Sequence, residues 1–284
     1  MRMASRLGRA VLVHPDGTRY IDIAEASAAR FGPTPLSVFG DWDGFRAWVD
    51  GYAADWERRG HALALTDLDA PSPSPRQTFA IGLNYRSHAD ESGHSHPEQP
   101  PTFTKFVSSF SGPVTELVLP SESVDWEVEL VVVVGRAARA VSVDQAWSHV
   151  AGLTVGQDFS ERVVQLAGPA PQFSLGKSFA GFGPQGPWLV TPDEFEDPAD
   201  LELSCSINGV EVQSGRTKEL IFSVAELIAR LSAIANLLPG DVIFTGTPAG
   251  VGGARTPKWF LKPGDVVVST IQGIGSLTQT CTSA

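Results

Sequence analysis

The 284-residue sequence has only two cysteines, Cys205 and Cys281, too few for a disulfide framework or a cluster of thiolate metal ligands. No apolar run approaches the roughly 20 residues that a membrane-spanning helix needs. The first residues, 1–14, include arginines but no sustained apolar segment followed by a small-residue cleavage site, so no secretory signal is predicted. These absences predict a cytoplasmic protein without a membrane partner.

Basic residues are also scarce, with 21 lysines and arginines against 32 aspartates and glutamates and a formal net charge of −11. Binding to nucleic acid or to an anionic membrane requires a basic face, and none is visible in the sequence. The complete phosphate-loop signature GxxxxGK[ST] is absent as well, and the strand-like segments do not alternate with helices as they do in a dinucleotide-binding fold. The sequence therefore predicts no nucleic-acid partner and no nucleotide-binding fold.

A proline-rich segment over residues 70–75 divides the chain. Its prolines cannot take part in regular pairing and favour an extended linker. Residues 1–70 contain a strand-like run at 10–14, and apolar residues at helical spacing that we interpret as core packing are Phe45, Trp48, Val49, Tyr52 and Trp56. We predict a small α+β domain over residues 1–70 and a larger domain over residues 71–284.

The larger domain consists mainly of short β-branched runs typical of strands, at residues 78–83, 129–134, 152–156, 201–207, 241–244 and 265–271. Asn208-Gly209 is typical of a hairpin turn. One helix is predicted, with a capping box of Ser223 and Glu226, apolar residues at helical spacing as far as Leu238, and an end at Pro239-Gly240. The pattern indicates a β-rich α+β fold.

Acidic residues alternate with apolar ones at Asp125, Glu127 and Glu129, just before four consecutive valines. On a strand, this spacing puts the three carboxylates on one face. Such carboxylates repel one another unless solvent or a cation neutralises them, and hard divalent cations prefer oxygen ligands. A solvated strand face and a metal site both fit the pattern, but the valine run weakens the first because it directs the strand into the core.

A further carboxylate, Asp158, follows the run at 152–156 where the chain must turn. It could cap a helix, the common role of an aspartate at such a junction, or provide a third metal ligand. Arg162 lies one helical turn away if this segment is helical.

Three more segments contain residues suited to chemistry. His88 and Glu91 are three residues apart, so on a helix the carboxylate would orient the imidazole as a general base, unless they are a chance pair at an exposed helix end. The histidines of the following loop, 93–101, are interpreted as loop residues and not as ligands. Lys177 lies in a glycine-flanked apolar stretch, where a buried ammonium requires an anion. The glycine-rich loop 245–252 could present backbone N–H groups and a hydroxyl to a carboxylate.

Together these motifs resemble the fumarylacetoacetate hydrolase family from about Phe79 to the C-terminus. The motifs are Gly-Leu-Asn-Tyr-x-x-His-x-x-Glu, Asp-Trp-Glu-x-Glu-Leu, Gly-x-Asp-x-Ser-x-Arg-x-x-Gln, Gly-Lys-Ser-Phe, Gly-Pro-Trp-Leu-Val-Thr and Gly-Thr-Pro-x-Gly-Val-Gly. The resemblance implies the family's mixed β-roll, preceded by a small variable N-terminal domain, and usually a homodimer. It also implies Mg²⁺ or Mn²⁺ as cofactor, with Ca²⁺ as an ion that can replace them in crystals.

The resemblance also assigns roles to individual residues. The implied metal ligands are Glu127, Glu129 and Asp158. The residues implied to hold the oxo-carboxylate end of a substrate are Arg162, Gln165, Lys177 and Thr247. The implied catalytic residues are His88 and Glu91, a dyad on a lid that activates water, together with Lys177 as a stabiliser of the oxyanion. Asp125 is outside the implied ligand set.

The implied reaction is metal-dependent hydrolysis of a C–C bond in a small 1,3-diketo acid, such as an acylpyruvate or fumarylpyruvate, and the presence of both His88 and Glu91 favours it. Decarboxylation of oxaloacetate, or tautomerisation or isomerisation of a 2-hydroxydienoate, would use the same metal site. A non-catalytic binding protein is the third alternative. The sequence departs from the family pattern at Gln157, Ala180 and Arg216, which leaves the substrate open.

Overall fold

Strands provide most of the regular structure in the computed structural model, which describes residues 1–93 and 95–284. The strands are β1 (Arg2–Arg6), β2 (Arg9–Val13), β3 (Arg19–Asp22), β4 (His61–Ala62), β5 (Leu68–Asp69), β6 (Thr78–Ile81), β7 (Thr102–Phe103), β8 (Phe110–Ser111), β9 (Val114–Leu119), β10 (Val124–Asp125), β11 (Val128–Val134), β12 (Val150–Gln157), β13 (Ser160–Glu161), β14 (Gly183–Val190), β15 (Glu202–Ile207), β16 (Val210–Arg216), β17 (Val242–Phe244), β18 (Val266–Ile271) and β19 (Gly275–Ser283). The helices are α1 (Ile23–Ala26), α2 (Pro35–Phe39), α3 (Trp42–Gly51), α4 (Trp56–Arg59), α5 (Arg86–Glu91), α6 (Val143–Ala146), α7 (Arg162–Gln165), α8 (Phe173–Gly176) and α9 (Val224–Ile234). Within the described residues, none of these helices has the length and apolar character needed to cross a membrane.

The strands form sheets of twelve, five and two strands. The large sheet has the order β4-β3-β2-β1-β14-β12-β11-β17-β6-β7, with β5 paired to β1 and β8 paired to β14. The five-stranded sheet has the order β16-β15-β18-β19-β9, and β10 pairs with β13. Most pairs are antiparallel, but β6–β17, β8–β14 and β9–β19 are parallel. The architecture is therefore the β-rich mixed α+β fold that the sequence predicts.

The central strand β11 is buried along its whole length. Leu130 and Val132 point into the core between the large sheet and the five-stranded sheet. Val131 and Val133 point into a second core, which aromatic residues of α2 and α3 fill. Because successive side chains of a strand alternate between its faces, Glu129 lies on the same face as these two valines. The predicted buried strand is confirmed, and its consecutive valines pack alternately into the two cores.

The N-terminal segment extends the large sheet. Strand β1 pairs antiparallel with β14, with Arg2 opposite Val190. The predicted apolar stripe is core packing, as expected, and ring centroids of Trp48 and Tyr52 lie 4.8 Å apart in a stacked pair. The stripe does not form one helix, however, because α3 ends at Gly51 and Trp56 begins the separate helix α4. The division into residues 1–70 and 71–284 stays a prediction.

Two local expectations need correction. The proline-rich segment is irregular, as predicted, but it is packed against the protein, since Ser72 is buried and its Oγ donates to the Gly240 carbonyl at 2.6 Å. The helix α9 has the predicted capping box at Ser223, yet it ends at Ile234, well before Pro239. Ile234 is 91% exposed, and Leu237 beyond the helix is buried in its place. The predicted apolar face extended past the helix to Leu238, which is half-buried in the irregular segment that follows α9.

Candidate active site

Glu127, Glu129 and Asp158 lie together, with one carboxylate oxygen from each within 4.8 Å of the others. All three side chains are buried. The antiparallel pair β11 and β12 brings them together, because Val128 at the start of β11 is opposite Gln157 at the end of β12. The Asp158 N–H donates to the Glu127 carbonyl at 2.9 Å and fixes this junction.

The segment from Asp125 to Glu129 is not one continuous strand, which corrects the predicted shared face of three carboxylates. β10 ends at Asp125 and β11 begins at Val128. The Asp125 carboxylate lies outside the cluster and accepts hydrogen bonds from the N–H groups of Gly252 and Gly253, at 2.7 Å and 2.8 Å. The separation of Asp125 from the candidate ligands agrees with the resemblance.

Asp158 does not cap a helix. The N-cap of α7 is Glu161, whose side chain accepts from the Val164 N–H. Helix α7 does begin at Arg162, and its guanidinium donates to Asp125 at 2.8 Å and to Glu127 at 2.7 Å. Because these two carboxylates outweigh the cost of burial, the pKa of Arg162 is raised above its usual value.

Lys177 is fully buried beside the same carboxylates. Its Nζ donates to Glu127 at 2.8 Å, to Asp158 at 2.6 Å and to the Ser160 hydroxyl at 2.8 Å. Burial opposes the charged form, but Asp158 and Glu127 outweigh it and the pKa of Lys177 is raised. The lysine is therefore a charged member of the acidic cluster.

The carboxylates of the cluster differ in their partners. Burial alone would raise the pKa of Glu127, but Lys177 and Arg162 lower it to about 2. The pKa of Glu129 is raised by burial and by the nearby charges of Asp158 and Glu127. Among the described residues Glu129 has no basic partner, and its Oε2 accepts from the Gly246 N–H at 2.7 Å.

This arrangement fits a hard divalent cation. The three converging donors are all carboxylate oxygens, which Mg²⁺ and Mn²⁺ prefer. Ionised Glu129 would have no basic partner within residues 1–93 and 95–284, and a bound cation would supply the missing positive charge. Glu127, Glu129 and Asp158 could thus hold a divalent metal.

A second buried lysine, Lys105, was not predicted from the sequence. Its Nζ donates to Asp158 at 2.7 Å and to the backbone carbonyl of Lys177. It lies 5.8 Å from the ring centroid of Phe244. The pKa of Lys105 is lowered because burial outweighs the attraction of Asp158. An isolated lysine outside every motif gave no signal in the sequence, and only the fold brings it to the cluster.

The substitution Lys105→Met is expected to lower the free energy of unfolding of the metal-free protein by about 3–5 kcal/mol, because it breaks a buried ion pair and leaves Asp158 with less compensation. Urea unfolding measures this loss. The control is Lys218→Met, which removes an exposed ion pair with Asp200 at 3.0 Å and should cost about 1 kcal/mol or less. Equal losses in the two variants would show that Lys105 contributes no more than a surface lysine.

The glycine-rich loop presents N–H groups to carboxylates, as predicted, but these belong to the protein itself. Gly246 donates to Glu129, Gly250 donates to Glu91, and Gly252 and Gly253 donate to Asp125. Gly250 has φ +111°, and a Cβ there would lie 2.1 Å from the Val212 carbonyl oxygen. Only glycine fits this position, so the loop sequence is required for the approach of its backbone to the acidic site.

His88 and Glu91 form a hydrogen-bonded pair on α5, with Nδ1 and Oε1 2.8 Å apart. His88 is only 8% exposed, so the alternative of an exposed chance pair is wrong. The other Glu91 oxygen accepts from the Gly250 N–H at 2.9 Å, which anchors the helix to the loop. An ionised Glu91 can only accept this hydrogen bond, so with a neutral ring Nδ1 would donate it and Nε2 would be the free acceptor.

A cavity of about 390 Å³ opens above the cluster, towards the small end of the roughly 300–1,000 Å³ typical of small-molecule sites. The polar candidates that line it are His88, Glu91, Glu127, Arg162, Gln165, Lys177 and Thr247. Glu129 and Asp158 do not line the cavity. They lie in the buried cluster next to Glu127, which does line it. Gln165 and Thr247 accept hydrogen bonds from Arg162 and Gln213, at 3.0 Å and 2.7 Å. The structure thus brings all the candidate residues to one site.

The three departures from the family pattern are outside the lining of this cavity. The Gln157 side chain accepts from the Glu127 N–H at 2.8 Å and donates to Ser269 at 2.9 Å, so it supports the backbone of a candidate ligand. Arg216 pairs with Asp200 at 2.6 Å on the five-stranded sheet. Of the two histidines in the loop 93–101, His96 pairs with Asp90 at 2.9 Å. His94 is outside the described residues.

Known proteins share both the sequence and the fold. Residues 77–282 match the family described as fumarylacetoacetate (FAA) hydrolase C-terminal. The chain is 45% identical over 208 residues to human mitochondrial oxaloacetate tautomerase FAHD2A, a match that covers 72% of this chain and 66% of that protein, just under two thirds of its length. It is 48% identical over 203 residues to 2,4-didehydro-3-deoxy-L-rhamnonate hydrolase of Sphingomonas sp., covering 70% of this chain and 71% of that protein.

Solved structures extend the similarity to the whole chain. A Mycobacterium smegmatis protein named as HpcE superposes with a TM-score of 0.91 at 54% identity and covers 100% of both chains. Maleylpyruvate hydrolase from Sphingobium sp. SYK-6, solved with manganese(II) and pyruvate, gives a TM-score of 0.81 at 27% identity, again over 100% of both chains. This chain belongs to the fumarylacetoacetate hydrolase family, which confirms the resemblance. Its named relatives are hydrolases, isomerases and tautomerases.

Proposed function

We propose that this chain is a divalent-metal-dependent hydrolase that cleaves a C–C bond in a small 1,3-diketo acid of the acylpyruvate or fumarylpyruvate type. The observation that supports it most is one cavity in which the Glu127 carboxylate and the oriented imidazole of His88 both line the wall. A metal-holding cluster alone could be structural. A general base held at the same cavity makes it suited to hydrolysis.

The charges of the site support a 2-oxo acid as ligand. Four buried acidic residues face three basic ones: Asp125, Glu127, Glu129 and Asp158 against Lys105, Arg162 and Lys177. With all seven groups ionised, their difference is one negative charge, and a divalent cation would change it to one positive charge. One substrate carboxylate would then balance the site, although the protein as a whole is acidic.

The chain's own groups are suited to bind this oxo-carboxylate end. Arg162 and Lys177 provide positive charge, Gln165 an amide, and Thr247 a hydroxyl whose hydrogen is not used in its bond to Gln213. A divalent cation held by Glu127, Glu129 and Asp158 would supply Lewis-acid stabilisation of negative charge. The substrate would lie with its distal carbonyl towards α5.

In the proposed reaction, His88 Nε2 takes a proton from a water that attacks the distal carbonyl carbon. Glu91, fixed by the Gly250 N–H, stabilises the resulting imidazolium. The C–C bond then breaks, its electron pair stays on the pyruvate fragment, and the His88 proton returns to that carbon. Lys177 donates all three N–H groups to protein oxygens, so donation to the oxyanion requires that it exchange one of them.

Tautomerisation of oxaloacetate is the second candidate. The His88–Glu91 pair at the cavity could transfer a proton between carbon and oxygen without water attack, and the human relative that is 45% identical is named an oxaloacetate tautomerase. Decarboxylation of oxaloacetate would use the same site. The expected homodimer and the cytoplasmic location stay predictions.

A substrate panel tests the proposal. Acetylpyruvate, fumarylpyruvate and oxaloacetate are incubated with the full chain and Mg²⁺ or Mn²⁺, with and without chelator. We expect release of pyruvate from at least one diketo acid, abolished by chelator and restored by metal. Faster enol–keto exchange of oxaloacetate with no cleavage of any diketo acid would favour the tautomerase instead.

A further inference from the structure

The cavity has one basic side chain that differs from the others. Arg162 and Lys177 are both paired with carboxylates of the protein. Lys258 also lines the cavity, but over residues 1–93 and 95–284 it makes no ion pair and no side-chain hydrogen bond. Its ammonium is therefore available to an anion that enters from solvent.

Lys258 lies at the mouth of the cavity. Together with Phe260 it lines both the cavity and an adjoining surface groove formed by residues 119–122 and 261–263. Its side chain is exposed, whereas Lys177 at the floor is buried. The two lysines thus mark the outer and the inner end of the same space.

The backbone that carries Lys258 is held on both sides. The Trp259 N–H donates to the Gly252 carbonyl at 3.1 Å, and the Leu261 N–H donates to the Val124 carbonyl at 2.9 Å. The Trp259 ring packs edge-on against Trp126, with centroids 5.2 Å apart. Lys258 is consequently presented from a fixed position beside the glycine-rich loop, although its own side chain is exposed.

Most of the remaining cavity wall is apolar and suited to a short carbon chain. Its apolar lining residues are Ile81, Leu83, Phe103, Leu166, Phe173, Val251 and Phe260. A ligand held at the floor by its oxo-carboxylate would extend along these side chains. A neutral end would leave Lys258 without a partner, whereas a carboxylate could form a charge-assisted hydrogen bond with its ammonium.

We propose that Lys258 binds a second carboxylate at the far end of the substrate, so that the chain prefers 2-oxo dicarboxylic acids to 2-oxo monocarboxylic acids. This inference rests on the proposed function for the placement of the oxo-carboxylate at the floor. Lys258 determines specificity and takes no part in bond cleavage.

The kinetic test compares fumarylpyruvate, which has a distal carboxylate, with acetylpyruvate, which has none. In Lys258→Met we expect KM for fumarylpyruvate to rise about tenfold, with kcat within twofold and both constants for acetylpyruvate unchanged. Lys258→Arg should restore most of the affinity. The control is Lys262→Met, because Lys262 lines the outer groove but not the cavity. Equal changes for both substrates, or none, would overturn the inference.

A binding test separates this inference from the hydrolase proposal. Calorimetry with the Mg²⁺-loaded protein compares 2-oxoadipate with 2-oxohexanoate, which has the same chain length and no second carboxylate. We expect about tenfold tighter binding of the dicarboxylate by the wild type and equal binding by Lys258→Met. If this difference appears without hydrolysis of any diketo acid, the proposed reaction fails and the role of Lys258 stands. If diketo acids are hydrolysed but the wild type binds both acids equally, or binds neither, the role of Lys258 is wrong.

Discussion

The substitution Glu129→Gln is expected to raise the Mg²⁺ or Mn²⁺ concentration that half-activates the enzyme by about 100-fold or more. Even supporting residues of metal ligands change affinity by about 10–100-fold, and Glu129 would contribute both a ligand oxygen and a charge. Activity titrations with each metal measure the shift. The control is Glu116→Gln, whose side chain is exposed on β9 at the edge of the five-stranded sheet.

The same substitution should not destabilise the metal-free protein. Glu129 has no basic partner among the described residues, and its pKa is raised by burial and by the nearby charges of Asp158 and Glu127. Removal of its charge is therefore neutral or favourable for folding. Glu127→Ala should instead cost about 3 kcal/mol, because Lys177 and Arg162 lose a buried partner. Urea unfolding in chelator measures both values. A large loss of stability in Glu129→Gln together with unchanged metal activation would contradict this account of the cluster.

The substitution His88→Gln is expected to lower kcat by about 10²–10⁴-fold, the usual contribution of a general base. Metal affinity should change little, since His88 is not one of the three converging ligands. Glu91→Gln should lower kcat less, because the imidazole would remain but lose the carboxylate that orients it. Steady-state assays of pyruvate release measure kcat, and calorimetry with Mn²⁺ measures the metal affinity.

The control for the base is His96→Gln. His96 is also paired with a carboxylate, Asp90 at 2.9 Å, but it is half-exposed in the loop after α5. Its loss should leave kcat unchanged. A His88→Gln enzyme that turns over at the wild-type rate would remove His88 as the base, and one that loses its metal would mean that His88 belongs to the metal site.

Much of the site could be predicted because its residues lie at the ends of strands with clear patterns. The valine run predicts a buried β11, and Glu129 at its start must then be buried as well. Asp158 follows a second apolar strand, and antiparallel pairing of β11 with β12 places it beside Glu127. Each carboxylate lies in a local sequence pattern, and a single strand pair joins these patterns. The spacing in the sequence was therefore enough to predict the cluster.

Other features depend on contacts that no local pattern records. Lys105 reaches Asp158 across 53 positions of sequence, and nothing in its neighbours distinguishes it from a surface lysine. The strand break after Asp125 accompanies the hydrogen bonds that Gly252 and Gly253 donate to its carboxylate. After the early end of α9, the Leu237 backbone pairs with Ala138. In each case a long-range contact overrides the local preference.

The most direct measurement is a titration of Mn²⁺ into the chelator-treated full chain, followed by electron paramagnetic resonance of the free ion. Convergence of three buried carboxylates predicts one bound ion per chain, displaced by Mg²⁺ and bound about 100-fold more weakly by Glu129→Gln. A chain that binds no Mn²⁺, or a Glu129→Gln variant that binds it as tightly as the wild type, would contradict the proposal that Glu127, Glu129 and Asp158 hold a divalent cation.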